Sequence, residues 1–230
     1  MLAGGVAHDF NNLLTGIMGH SSLALEVLEP SHPAFSMVEN VLFASERAAA
    51  LTRQLLAYSG RGKFVLEPVD LSRLLREIAA LVRMSIPKSA AVSLDLDDRI
   101  PGVLADPTQM QQLAMNLVIN AAESLQGRPG TVFVRTGSRH LDETEAARRG
   151  GAFELHPGLH VSLEVRDTGC GMDAATLKKI FDPFFSTKFT GRGLGLSAVQ
   201  GIVRGHKGSL EVESAPGQGT TFRVFIPAER

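Results

Sequence analysis

The sequence predicts an α+β protein, a helical hairpin followed by a two-layer α/β sandwich. Three observations carry that expectation. Over residues 1 to 62 the apolar positions recur at steps of four and three, the period of a packed helix. After Lys63 stretches that alternate residue by residue, such as AVSLDL and HVSLEV, appear between amphipathic runs. These strands and helices alternate without the βαβ regularity of a dinucleotide-binding fold.

In the first region Val6, Phe10, Leu13, Ile17, Ala24 and Val27 form the stripe, His20 fills the missing turn, and Leu14, Leu25 and Leu28 widen it. EPSHP, residues 29 to 33, ends this helix, because two prolines in five residues do not continue one. A second stripe runs through Val38, Leu42, Ser45, Ala49, Thr52 and Leu56 to the glycines of SGRGK, residues 59 to 63. Two long helices joined by a short loop make an antiparallel hairpin. A lone hairpin leaves its apolar stripe half covered, so a homodimer closing a four-helix bundle is expected. The second region, residues 63 to 230, opens with an extended piece, FVLEPV, and a helix over about Leu71 to Met84. AVSLDL reads as a strand, and DPTQMQQLAMNLVINAAESL as a helix capped by Asp106 before Pro107. TVFVRTGSRHL and HVSLEVRDT are strands, with residues 142 to 158 between them reading as a loop or flap. DAATLKKIF is a short helix capped by Asp173, and a glycine-rich loop leads into the helix LGLSAVQGIV. SLEVES and TTFRVFIP close the chain as a hairpin around APGQG.

The bulk composition narrows the function. With 44% hydrophobic and 20% charged residues the chain can build a core, and a net charge of -1 points to neither nucleic acid nor an anionic membrane surface. No apolar run reaches the ~18 residues of a membrane span, and no signal peptide is visible. A single cysteine, Cys170, rules out an internal disulfide and fits a reducing, cytoplasmic compartment. The helical pattern starts at Leu2, so the chain reads as part of something longer, with any sensor or membrane anchor expected outside it.

Four stretches carry polar side chains where chemistry is possible. In AHDFNNLL, His8 falls opposite the seam of Phe10 and Leu13, Asn12 lies one turn on, and Asp9 can reach the imidazole edge. An exposed neutral imidazole held by a carboxylate is a competent nucleophile, although a solvated helix face has the same composition. In NLVIN, Asn116 and Asn120 place two amides on one helix face, either satisfied core amides or neutral oxygens for a hard cation and its phosphates. DTGCGM follows a strand, so Asp167 can accept from an exocyclic amine while Gly169 and Gly171 let the backbone pass close to a flat ring; an ordinary strand-end turn is the alternative. In FTGRGLGLS, glycines precede a helix whose free amides attract phosphate, and Lys188 and Arg192 add positive charge. Upstream, Phe181, Phe184 and Phe185 either anchor a lid or pack in the core. His156 and His160 are separated by Pro157 and Gly158, so they share no helix face for a metal.

Taken in order, HDFNN, NLVINA, DTGCGM, FDPFFSTK, GRGLGLS and GQGTTF resemble the phosphoacceptor, asparagine, glycine, phenylalanine, lid and final glycine boxes of the sensor histidine kinases of two-component systems. The resemblance spans essentially the whole chain. It implies a dimerisation and histidine-phosphotransfer hairpin over residues 1 to 62 and an ATP-binding domain of the Bergerat fold over 63 to 230. It implies ATP and Mg²⁺ as cofactors, a second copy of the chain and a response regulator receiver domain as partners, and no nucleic-acid or membrane contact by this stretch. His8 matches the phosphorylated histidine, Asp9 its acidic neighbour, and Asn12 the residue that in relatives orients water to dephosphorylate the regulator. Asn120 matches the Mg²⁺ ligand and Asn116 a nearby phosphate and metal contact. Asp167 matches the adenine anchor, flanked by Gly169 and Gly171, and Thr221 a threonine beside that anchor. Gly193, Gly195 and Leu196 match the lid, with Lys188 and Arg192 beside the phosphates. ATP hydrolases of the same superfold place a glutamate base one turn before the metal asparagine, where this chain has Asn116. An amide cannot take a proton from water, which disfavours hydrolysis. The residues from Asp142 to Gly158 have no counterpart role.

Overall fold

A computed structural model describes residues 2–29, 31–42, 44–45, 65–150, 155–187 and 193–229, with positions 2–12, 148 and 150 described by backbone alone. The chain divides into two compact units, Met1–Gly62 and Lys63–Arg230.

In the first unit, helix α1 spans Leu2–Val27. It ends at a turn in which His32 N–H donates to Glu29 O at 2.9 Å, and His32 Nδ1 accepts from Ala34 N–H at 3.1 Å. That side chain takes up an amide that helical bonding would leave unpaired, and a second helix, α2, follows over residues 35–42. Leu14, Ser21 and Ser45 are buried, and Ser45 Oγ donates to Val41 O at 2.8 Å. The adjacent face is open: Leu13 is 67% exposed and Val27 85%, with Ile17, Met37 and Val41 also exposed. Leu14 and Ser21, seven residues apart, share one side of the helix, and Leu13 lies one position round from it. The far end of the second stripe, from Ala49 to Leu56, lies outside the described residues.

The second unit is a two-layer α/β sandwich. Strand β1 (Glu67–Val69) pairs antiparallel with β3 (Val103–Ala105) as a small separate ribbon. The main sheet holds β2 (Ala90–Asp95), β4 (Gly130–Leu141), β5 (Gly158–Asp167), β7 (Thr220–Pro227) and β6 (Ser209–Ser214), in the order β2-β4-β5-β7-β6. Only β2 and β4 run parallel. Helices α3 (Leu71–Ser85), α4 (Pro107–Ser124) and α7 (Gly195–Gly205) complete the main layer, and α6 is a single turn, Ala174–Leu177. Leu71 and Leu75 of α3 and Met110 and Leu113 of α4 meet Leu163, Val224 and Ile226 of the sheet, the alternate residues that a strand turns to one side. The caps are side-chain carboxylates: Asp106 Oδ1 accepts from Gln109 N–H at 3.1 Å and Asp173 Oδ1 from Thr176 N–H at 2.8 Å, as expected, and Asp70 Oδ1 also accepts from Arg73 N–H at 3.0 Å.

Two expectations are corrected. The stretch from Asp142 to Gly158 is not simply a loop, because Glu143–Gly150 forms helix α5, capped by Asp142 Oδ1 accepting from Glu145 N–H at 2.8 Å. It covers part of the sheet's other side, where the Arg149 guanidinium lies 5.1 Å from the Phe225 ring centroid and donates to both Glu211 oxygens. Leu141, Ala146 and Leu155 are buried there as a satellite core. A polar, arginine-rich segment hid this helix, since it needs only one small apolar residue to pack. Strand β3 was also unread, since VLA is too short to alternate visibly.

A polar junction ties α4 to α7. His206, at the end of α7, accepts from Asp106 N–H at Nε2, 3.0 Å, and its Nδ1 lies 2.8 Å from Ile202 O. A carbonyl can only accept, so Nδ1 carries the proton and the ring is neutral. Burial holds the pKa of His206 below the ordinary imidazole value, and does the same at His160. A depressed histidine pKa favours the fold above the unfolded value of about 6.5 and withdraws that stability as pH falls below it. The melting temperature of the chain is therefore expected to drop between pH 7.5 and pH 5.5, and His206→Gln should shrink the drop while leaving the contribution of His160. Calorimetry at both pH values checks this; an unchanged pH slope in the variant would refute the assignment.

Candidate nucleotide site

Four segments converge beside the end of β5: the second half of α4, the loop after β5, the start of α7 and the turn between β6 and β7. Asp167 closes β5 on the helix-facing side and is 2% exposed. Its Oδ1 accepts from Ser124 Oγ at 2.8 Å, Gly169 N–H at 2.8 Å and Thr220 N–H at 3.2 Å. A buried carboxylate survives only with such donors, and here they come from helix, loop and strand. The loop is zipped to the hairpin turn by backbone: Gly217 N–H donates to Cys170 O at 2.7 Å, and Cys170 N–H to Ser124 O at 3.1 Å. Gly219 has φ +75°, and a Cβ there would strike the Asp167 carbonyl; one at Gly169 would strike Ser124, and one at Gly171, φ +63°, the Ala215 carbonyl. Glycine at these positions is therefore a packing requirement of the site.

Thr221, expected beside Asp167, is on the wrong side. It pairs with Arg166, so its side chain leaves the sheet on the face away from the helices, while the preceding residue, Thr220, bonds Asp167 through its amide. Two adjacent threonines in a strand face opposite ways, and the sequence alone does not say which faces in. Ser214 Oγ accepts from Met172 N–H at 2.9 Å and donates to Gly219 O at 3.1 Å, so the Thr220 hydroxyl, 2.9 Å away, donates to it.

Asn116 and Asn120 lie one turn apart on α4 and face the start of α7. Asn116 Nδ2 donates to Gly195 O at 3.3 Å, and a Cβ at Gly195 would sit 3.5 Å from Asn120 Nδ2. That bond sets which way the Asn116 amide faces, and its Oδ1 is the atom able to meet a cation. Leu194, at the cap of α7, supplies no side-chain bond to the first-turn amides of this helix, which begins beside the two asparagines with Leu196 half-buried. Uncapped amides and the helix dipole suit phosphate oxygens, and neutral amide oxygens suit a Mg²⁺ ion that keeps most of its waters. The residues present therefore fit a metal-bound phosphate chain, with an amine-bearing ring at Asp167. Gly193, φ +64°, accepts from Phe184 N–H at 2.9 Å and has no room for a Cβ against the Phe184 and Phe185 backbone. Phe184 itself takes φ +68° and is 69% exposed, while Phe181 and Phe185 are half-buried. Lys188, Gly191 and Arg192 lie outside the described residues, as do the side chains of His8, Asp9 and Asn12, which the backbone places on α1. Ser124 and Gly219 were not among the expected site residues. The GQG triplet was the available sign of Gly219, whereas nothing local marks Ser124.

Residues 105–230 match the family described as histidine kinase-, DNA gyrase B- and HSP90-like ATPase. The sensor kinase CckA of Brucella abortus is 40% identical over 228 residues, covering 98% of this chain and 24% of that protein. The sensory histidine kinase/phosphatase NtrB of Vibrio alginolyticus is 30% identical over 231 residues, covering 100% of this chain and 63% of its own length. The chain thus spans only part of the curated relatives it matches. In fold it resembles the crystal structure of full-length ShkA in complex with AMPPNP, at a TM-score of 0.74 and 24% identity, covering 98% of this chain and 45% of that one.

The two glycines of the hairpin turn give a paired test. Gly217, φ +74°, has open space around its Cβ position, and Gly219 does not. Gly217→Ala should cost about 1 kcal/mol of backbone strain, and Gly219→Ala about 3 kcal/mol or more once the Asp167 carbonyl must move. Urea unfolding of the two variants measures the gap, and equal losses would contradict the packing described.

Proposed function

The chain belongs to the histidine kinase-, DNA gyrase B- and HSP90-like ATPase family, and from that premise we propose that it is a histidine kinase core. In this reading it takes the γ-phosphoryl group of ATP onto His8 and passes it to an aspartate of a response regulator receiver domain. The observation that carries this reading is Asn116. One turn before Asn120, where a hydrolase of this superfold needs a base, stands an amide whose donor is bonded to Gly195 O. With no proton acceptor for water at that position, the phosphoryl group needs another nucleophile, and HDxxN on α1 supplies one.

The roles divide as follows. Asp167, with Oδ1 fixed by three donors, accepts from the adenine amine, and Gly169 and Gly171 admit the ring. The open amides of α7 at Gly195 and Leu196, with Gly193, Lys188 and Arg192, hold the phosphates. Asn120 and the Oδ1 of Asn116 would hold Mg²⁺, which would neutralise phosphate charge. His8 offers a ring nitrogen lone pair in line with the γ-phosphorus, the N–P bond forms as the bond to the ADP oxygen breaks, and Asp9 holds the tautomer and offsets the imidazolium charge. Phosphoryl transfer passes through a loose transition state, so positioning and charge neutralisation supply most of the catalysis. Residues 1 to 62 then form the dimerisation and phosphotransfer unit and 63 to 230 the catalytic one. Pairing of two copies into a four-helix bundle is supported by the exposed row of Leu13, Ile17, Met37 and Val41. Asn12, one turn after His8, holds a water for attack on the phosphorylated regulator, a reading in keeping with the kinase/phosphatase name of the relative NtrB.

Incubation with γ-labelled ATP should label the protein with a bond that is acid-labile and base-stable, and His8→Gln should abolish the label with nucleotide affinity unchanged. Sustained phosphate release from the parent with no labelled protein would instead make it a hydrolase. Asn12→Ala preserves the helix, alanine being the best helix former. It should label within a few-fold of the parent but slow the decay of a phosphorylated regulator, and equal decay rates would remove the water-positioning role.

A further inference from the structure

We infer that Ser124 is a positioning residue for purine selection, aiming the Asp167 carboxylate through its hydroxyl. The inference rests on the adenine reading of Asp167 and adds a residue to it. Ser124 ends α4, the helix that also carries Asn116 and Asn120. Its Oγ lies 2.7 Å from Ala121 O and 2.8 Å from Asp167 Oδ1. A hydroxyl has one hydrogen to share between them, and a carboxylate is the stronger acceptor. The amides of Gly169 and Thr220, which also donate to Oδ1, are backbone groups that side-chain truncation leaves in place. Ser124 is therefore a side chain through which this carboxylate's orientation can be varied. Its carbonyl takes Cys170 N–H at 3.1 Å, and its hydroxyl fills the space that a Cβ at Gly169 would need. One residue thus connects the asparagine-bearing helix to the loop after β5 at two points, and the hydroxyl is the one that reaches the carboxylate.

Deleting the hydroxyl leaves the backbone link and the helix intact, because alanine is smaller and favours helix. What changes is the hold on Oδ1, and with it the acceptor that meets the exocyclic amine. The probe is a pair of nucleotides differing only in that amine, Mg-ADP and the diphosphate of purine riboside, titrated by calorimetry into the full chain. Ser124→Ala should bind Mg-ADP roughly three- to tenfold more weakly, the loss of one hydrogen bond, and should bind the amine-free nucleotide within about twofold of the parent, the scatter expected for a change that no longer couples. A role in packing alone would weaken both equally. Equal losses for the two nucleotides, or no loss for either, would overturn the inference. Asp167→Ala is the control for the underlying reading. If it binds Mg-ADP as the parent does, the adenine assignment itself falls; if it is weakened while Ser124→Ala is not, only the role of Ser124 falls.

Discussion

The carboxylate of Asp167 has to find hydrogen-bond donors at a place where 98% of the residue's surface is out of water. Three donors on one oxygen meet that demand, and each belongs to a different element: Ser124 to α4, Gly169 to the loop after β5, Thr220 to β7. The consequences spread outward. Gly169 has no side chain because Ser124 occupies the space, and Gly219 has none because the Asp167 carbonyl does. The small residues that look like flexibility in the sequence are packing around one buried acid.

The same economy appears along α4 and α7. The two helices meet at both ends, through Asn116 and Gly195 at the start of α7 and through Asp106 and His206 at its far end. Val199, Ile202 and Val203 are completely buried between those ends. The far end of α7 is held by a neutral histidine whose two nitrogens are both committed, whereas Leu194 gives its start no side-chain cap bond. The two ends of α7 are thus held unequally, and its start is the end where a helix offers amides to an anion.

Much of this was legible in the sequence because it depends on local chemistry. Hairpin strands at SLEVES and TTFRVFIP, the cap at Asp106 and the helix through Asn116 and Asn120 all follow from period, capping and turn residues within a few positions. Apart from β3, which is too short to show a period, the errors share one cause, dependence on a partner distant in sequence. Helix α5 packs by way of Arg149 against Glu211 and Phe225, more than sixty residues on. The choice between Thr220 and Thr221 depends on register against β5, and Ser124 matters only because Asp167 is brought to it. Periodicity identifies faces of elements but not which faces meet.

Register is where the outer side of the sheet affects the site. An apolar period of two forbids a slip by one residue, since that would turn the core outward, but it permits a slip by two. A row of charges crosses all five strands on the outer face: Asp95, Arg135, Glu164, Arg223 and Glu211 are direct neighbours, with signs alternating at each step. Arg223 Nε bonds Glu164 at 2.6 Å and Arg135 Nε bonds Asp95 at 2.7 Å. The outermost pair is more than half exposed and adds little stability as an ion pair. Its position in the row has a different effect. Sliding β7 by two residues against β5 in one direction would set Arg223 opposite Arg166, and in the other opposite Ser162, losing the Glu164 bond either way. The first slip would also bring Phe222 to Asp167 and the second Gln218, in place of Thr220. Like charges placed directly across a strand pair are unfavourable, so the charged face selects among registers that the apolar face cannot distinguish. The amide of Thr220 reaches the buried carboxylate because of a pattern of arginines and glutamates on the opposite side of the sheet, where no nucleotide would touch them.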